Sequence, residues 1–133
     1  MAKLTDQQRE FLASPYVGTV TTLRADGSPH NTVVWVDVDG DEVLFNTAEG
    51  RAKPAHLRHD PRVALTVVDP QNAFRWISVT GSAELTQEGA GEHIDRLAKK
   101  YLDKDVYPWH DPEHPRVKVT ITPEKVDATG FDD

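Results

Sequence analysis

The residues best suited to chemistry lie between Glu49 and Arg62, where Arg51, Lys53, Arg58 and Arg62 supply four cations against the two acids Glu49 and Asp60. This local excess of two positive charges sits in a chain of net charge −7. Gly50 precedes it, and Pro54 and Pro61 bracket a short helix between them. Proline is tolerated in a first helical turn, where its missing N–H leaves no bond unmade. Arg51 and Lys53 therefore stand at a helix start, where unpaired N–H groups and the helix dipole favour phosphate or carboxylate. Gly50 lets a backbone come close to such an anion. The alternative is a solvated face whose cations pair with Glu49 and Asp60.

Other candidates carry weaker signals. Arg75 and Trp76 are neighbours in a strand pattern and so point to opposite faces, one of them toward the core or an interface. Trp can stack on a planar ligand and Arg can clamp an anion with two nitrogens. His56 and His59 are three residues apart, and His110 and His114 flank Asp111 and Glu113. Pro112 prevents a helix at the second pair, and further ligands at suitable spacing are missing, so no metal site is expected. The chain has no Gly-x-Ser-x-Gly elbow, no Gly-x-Gly-x-x-Gly turn and no P-loop. It has no cysteine, which removes disulfides, thiolate nucleophiles and iron–sulfur clusters.

The elements that must hold these residues can be read from the pattern. Thr5 can cap a helix to Ala13, with Gln8 three residues on completing a capping box. Strands are expected over Tyr16–Leu23, Thr32–Val38, Val43–Thr47, Arg62–Val68, Phe74–Leu85 and Arg116–Thr122, from their Val and Thr content and alternation. The first three are expected to form an antiparallel meander. Gly81 marks a bulge or a close backbone contact within the fifth. A helix is expected over Gln87–Leu102, with Ile94, Leu97, Ala98, Tyr101 and Leu102 on one side. Residues 107–115, with three prolines, form a loop. The acidic tail, about 128–133, is expected to be mobile. At 133 residues the chain fits one domain over 1–133. Six antiparallel strands with short helices make a mainly β, α+β fold, a small barrel that hides its sheet edges.

With 22 acidic and 15 basic residues, the chain is not expected to bind nucleic acid or anionic lipid non-specifically. No apolar run approaches the ~18 residues of a membrane span, so membrane insertion is not expected. The N-terminal MAKLTDQQREFL lacks an apolar secretory core, and a cytoplasmic protein is expected.

Three segments, TVTTLRADGSPHNTVVWV, FNTAEGRAKPAHLRHDPRVALTVVD and FRWISVTGSAEL, resemble the pyridoxamine-phosphate-oxidase-like split β-barrel superfamily. Within it the resemblance is to the deazaflavin-dependent oxidoreductases of actinobacteria, which use coenzyme F420. It covers roughly two-thirds of the chain, and the Gly-Arg-Ala-Lys…Leu-Arg-His-Asp-Pro-Arg-Val block is its specific part. It implies the FMN-binding type of split barrel and a homodimer with cofactor at the interface. It also implies hydride transfer from reduced F420 to a conjugated, electron-poor small molecule such as a quinone, an enone or a tetrapyrrole. His30, Asn31, Thr32, Val33 and Val34 would run beside the cofactor ring, and Asn46 and Thr47 would line it. Gly50, Arg51 and Lys53 match positions that hold its phosphate and acidic tail. Arg75, Trp76 and Ile77 match a strand reaching the site from the partner subunit. No catalytic side chain is singled out, and solvent is the first choice of proton donor ahead of His30. FMN is the alternative cofactor, and a non-catalytic F420 or flavin carrier the alternative function. Pyridoxamine phosphate oxidases end in an Arg- and Trp-bearing segment that binds substrate phosphate. The VTITPEKVDATGFDD of this chain has no Arg, so that oxidation is not expected.

Overall fold

A computed structural model of the chain describes residues 2–132. Helix α1 (Asp6–Ala13) begins at Thr5, whose Oγ1 accepts from Gln8 N at 3.1 Å while Gln8 Oε1 accepts from Thr5 N at 3.0 Å. The capping box read from the sequence is thus formed. The strands are β1 (Gly18–Leu23), β2 (Pro29–Val34), β3 (Val36–Asp39), β4 (Glu42–Ala48), β5 (Arg62–Asp69), β6 (Asn72–Thr86) and β7 (Arg116–Thr129). Helix α2 (Ala52–His59) joins β4 to β5, and α3 (Ala90–Leu102) follows β6.

The described residues form seven strands where the sequence suggests six, because the expected strand Thr32–Val38 breaks at Trp35. The alternation of Val34, Val36 and Val38 runs through the break: the first two are buried in the core and Val38 packs against it. The pattern therefore conceals the change of partner. β2 pairs with β1, whereas β3 pairs with β4, so the expected three-strand meander is two separate hairpins.

The sheet order is β2-β1-β5-β6-β7-β4-β3, with antiparallel neighbours. Its two outermost strands, β2 and β3, are joined by the single residue Trp35. A chain steps ~3.8 Å per residue, so the sheet must curl until its edges meet there. This is the split barrel. Tyr101 of α3 fastens the seam: it stacks on Trp35 at 5.4 Å, accepts from Val36 N at 2.9 Å and donates to Tyr16 O at 2.7 Å. Burial pushes the Tyr101 phenol up to about 12. Lys100 donates to Leu12 O and Val36 O beside it.

The core lies inside the curl, where Val63, Leu65 and Val67 of β5 gather with Val117, Val119 and Ile121 of β7 in one buried cluster. β4 is buried on both faces. Val43 and Phe45 enter the core, while Asn46 on the other face bonds to Ala90 of α3. A strand covered on both sides reads as a continuous apolar run. β7 continues to Thr129, seven residues beyond its expected end, and Phe131 packs edge-on against Phe11. Asp133, the end of the tail, lies outside the described residues. α3 starts at Ala90, three residues later than expected, after Gly89 with φ of 72°.

Candidate functional site

The four cations of the Glu49–Arg62 segment divide into two pairs. Arg58 donates to both oxygens of Glu49 at 2.7 Å, and Arg62 pairs with Asp60 at 2.7 Å. For these two the solvated, acid-paired alternative holds. The Arg58 hydrogen bonds, aided by Gln87, pull the Glu49 carboxyl down to about 2. The sign follows from that depression. The stabilising contribution is complete above the ordinary value of 4.5 and is lost as pH falls through about 2. An NMR titration of the Glu49 carboxyl is expected to show its midpoint well below that of an unpaired glutamate. Arg58→Ala is expected to return it toward 4.5.

Arg51 and Lys53 have no carboxylate partner among the described residues. Arg51 is the N-cap of α2 with no side-chain capping bond. Lys53 is only 9% exposed. Pro54 is the third helical residue rather than the first, still within the turn whose N–H groups have no intrahelical partner. A third cation, Arg116 at the start of β7, joins them. Its Nε donates to Asn46 Oδ1 at 2.8 Å, and its guanidinium lies 5.0 Å from the Tyr107 ring centroid. Burial lowers the Lys53 ammonium below its ordinary value, and Arg51 and Arg116 lower it further. Burial, with Arg51 adding to it, also lowers Arg116. Three mutually repelling cations with no acid among them cost stability, and an incoming anion offsets that cost.

Arg51 and Arg116 line two neighbouring chambers, and Lys53 lines the first of them. One, of about 180 Å³, is lined by Val33, Val34, Trp35, Asn46, Ile94, Leu97, Tyr107 and Trp109 together with Arg51, Lys53 and Arg116. The other, of about 280 Å³, is lined by Ala48, Glu49, Gly50, Asp111 and His114 with Arg51, Trp109 and Arg116. A slot with aliphatic and aromatic walls thus adjoins a corner where Arg51 and Arg116 stand beside Glu49 and Asp111, two acids already engaged by Arg58 and His114. Gly50 has φ of +86°, and a Cβ there would meet His114 Cδ2 at 2.8 Å. The glycine is needed both for its left-handed backbone and for the His114 ring resting on it.

Of the residues expected at the site, Val33, Val34, Asn46, Gly50, Arg51 and Lys53 come together around these chambers. His30, Asn31 and Thr32 lie on the same strand, β2. His30 stands edge-to-face with His56 at 5.1 Å, and His56 Nδ1 lies 2.8 Å from Thr22 Oγ1. Thr47, adjacent to Asn46, is buried. Arg75, Trp76 and Ile77 line neither chamber. The Arg75 guanidinium lies 4.8 Å from both the Phe11 and Phe131 ring centroids and 3.6 Å from Asp69. Trp76 flanks a shallow groove with Val68 and Thr129, and Ile77 is in the core.

The sequence reading missed Trp35, Tyr107, Trp109 and Arg116 as lining residues. The signal available was two aromatics in a proline-rich loop that runs straight into an arginine. Aromatic side chains exposed on a loop bury nothing of their own.

Three buried side-chain atoms have no hydrogen-bond partner among the described residues: His30 Nδ1, Thr32 Oγ1 and Thr47 Oγ1. All three belong to residues that the resemblance assigns to the cofactor. A model of the family described as pyridoxamine 5'-phosphate oxidase matches residues 4–130. The chain belongs to this family. Among curated relatives it is 37% identical over 80 residues to a pyridoxine/pyridoxamine 5'-phosphate oxidase of Kineococcus radiotolerans, covering 60% of this chain and 35% of that one. It is 28% identical over 86 residues to an F420H(2)-dependent biliverdin reductase of Mycobacterium tuberculosis, covering 65% and 62%. The matches thus span about a third and about three-fifths of those relatives' lengths. A solved structure described as an F420 reductase superposes with a TM-score of 0.82 at 26% identity, over 93% of this chain and 98% of that one. Family membership agrees with the split barrel described above. No helix among the described residues is long and apolar enough to cross a membrane.

Proposed function

We propose that the protein is an F420-dependent reductase acting on a conjugated, electron-poor small molecule such as a quinone, an enone or a tetrapyrrole. The observation that carries this reading is the cluster of Arg51, Lys53 and Arg116, none paired with a carboxylate among the described residues, beside a slot walled by Val33, Val34, Ile94 and Leu97. Coenzyme F420 joins a flat ring to a phosphate and a string of carboxylates, and the slot and corner match those two chemistries. Similarity to an F420H(2)-dependent reductase and to an F420 reductase structure supports the choice of cofactor.

When bound, reduced F420 supplies a hydride to the acceptor, and a proton completes the reduction. The side chains of this protein bind, orient and shield. Arg51, Lys53 and Arg116 hold the anionic end by charge-assisted hydrogen bonds. Val33, Val34, Ile94 and Leu97 give the ring an apolar wall from which water is excluded. His30, Thr32 and Thr47 offer polar atoms in need of partners. Solvent supplies the proton, so no side chain need act as an acid. The site is completed in a homodimer, in which Trp76 of a second copy reaches it and Trp76 and Val68 present apolar surface.

The test is a pair of titrations of the cofactor-free protein, with F420 and with FMN, read by fluorescence. F420 is expected to bind at least about tenfold more tightly, a difference of ~1.4 kcal/mol. Tighter FMN binding would overturn the choice of cofactor. Tight F420 binding without oxidation of F420H2 by a panel of quinones and enones would make the protein a carrier.

A further inference from the structure

Arg116 differs from the other two cations in being held by a side-chain hydrogen bond. Arg51 is the N-cap of α2 without a side-chain capping bond and Lys53 lies within its first turn, whereas Arg116 stands at the first residue of a strand directly after a loop. A long side chain in that setting has much rotamer freedom to lose on ordering. Its order in this structure comes from a buried chain of hydrogen bonds. Arg116 Nε donates to Asn46 Oδ1 at 2.8 Å. Asn46 Nδ2 donates to Ala90 O at 2.9 Å and lies 3.0 Å from His93 Nδ1. His93 Nε2 lies 3.0 Å from Asp37 Oδ2, which also accepts from Arg96 at 3.3 Å.

Directionality can be read from the arginine outward. A guanidinium only donates, so Asn46 must turn its oxygen to Arg116 and its amide nitrogen to His93. His93 Nδ1 must then be a bare acceptor, and the ring proton sits on Nε2, facing the carboxylate. Burial raises the Asp37 carboxyl, but hydrogen bonds from His93 and from Val38 N outweigh it and hold the group below its ordinary value. A charged carboxylate is the acceptor that an Nε2–H tautomer requires. Every bond in the relay has a single consistent sense, and it ends at the cleft.

We infer that His93, fixed in its Nε2–H tautomer by Asp37, is a positioning residue that holds Asn46 and thereby aims Arg116 into the anion corner. This rests on the F420 reading for its ligand, though the relay itself does not. His93 is 1% exposed and touches neither chamber. With Nε held by Asn46 and the guanidinium beside Tyr107, the terminal nitrogens of Arg116 have no carboxylate partner among the described residues. They are left for a phosphate or carboxylate, and ordering them in advance lowers the entropy lost on binding.

The test compares His93→Leu with His93→Gln, whose amide oxygen and nitrogen can stand in for Nδ1 and Nε2–H. In cofactor-free protein, solvent exchange of the Arg116 Nε–H is expected to speed up about tenfold or more in His93→Leu and to stay near the wild-type rate in His93→Gln. The F420 dissociation constant is expected to rise about tenfold in the Leu variant and to return to within about threefold in the Gln variant. Unchanged Arg116 exchange in a folded Leu variant would overturn the inference, as would equal weakening of F420 binding by both substitutions. The wild-type protein decides on its own if the Leu variant does not fold: the nitrogen shifts of His93 must report Nε2–H, and an Nδ1–H tautomer would sink the relay. If wild-type protein does not bind F420, the functional reading falls, and the exchange and tautomer measurements still judge the relay.

Discussion

Replacing Lys53 by alanine is expected to weaken F420 binding by about 1–3 kcal/mol, or roughly 5- to 150-fold, because a charge-assisted contact is lost. The same substitution is expected to leave the protein at least as stable as wild type. Both effects follow from one arrangement. Lys53 is buried, faces Arg51 and Arg116, and has no carboxylate partner among the described residues. A cation so placed is destabilising in the absence of an anion. Its folded-state value lies below the ordinary 10.5, so the folded protein binds its proton less tightly than the unfolded chain does. In the window between the lowered value and 10.5, stability rises with pH, and Lys53→Ala is expected to flatten that rise. Isothermal titration with F420 and thermal melts across that window measure the two halves. Arg58→Ala supplies the contrast, since Arg58 is spent on Glu49 and F420 affinity is expected to stay near the wild-type value. Loss of stability together with unchanged affinity in Lys53→Ala would show that the lysine is a structural element and that the anion corner lies elsewhere.

The contrast between Lys53 and Arg58 also shows where the sequence stops informing. Both lie in one basic run, and spacing alone gives no reason to prefer either. Arg58 is neutralised because α2 turns back far enough for it to reach Glu49, nine residues earlier. That return depends on tertiary geometry and not on a local pattern. Arg116 was invisible for the same reason: it is distant in sequence and enters the corner only because β7 pairs with β4, setting Arg116 opposite Ala48. By contrast, β5 and the core-facing part of β7 were legible because alternation is a local consequence of the pleat. The capping box at Thr5 was legible because its bonds close within three residues. The split at Trp35 was not, since alternation is blind to which neighbour a strand pairs with. The aromatic stack and hydrogen bonds that mark the seam come from Tyr101, far along the chain.

Gly81 was expected at a bulge or a close backbone approach, and it stands at both. The β6–β7 register shifts between Thr80 and Gly81, and a Cβ added at Gly81 would lie 2.1 Å from the carbonyl oxygen of Thr122 and 3.1 Å from Pro123 Cα. Neither neighbour is the tip of a flexible side chain. Both are backbone of the paired strand, so the ladder itself must move. In an open strand, alanine in place of glycine stabilises by about 0.4–1 kcal/mol, because the unfolded chain has less freedom to lose. At Gly81 the sign is expected to reverse: Gly81→Ala should cost about 3 kcal/mol or more, the upper end of overpacking, and lower Tm by roughly 10 °C. Gly91→Ala is the control. It sits in the first turn of α3 with nothing within 4 Å of an added Cβ, and it is expected to gain up to about 1 kcal/mol. The shift at Gly81 lets the rest of β7 keep step with β6 on both sides, from Thr86 opposite Lys118 to Trp76 opposite Thr129. A damaged bulge should therefore disturb pairing toward both ends of β7, including the end that presents Arg116. The Gly81→Ala protein is expected to lose amide protection along β6 and β7 while α1 and the β3–β4 hairpin keep theirs. Uniform loss of protection across all elements would instead mean that the two strands have no independent give and that the barrel opens only as a whole.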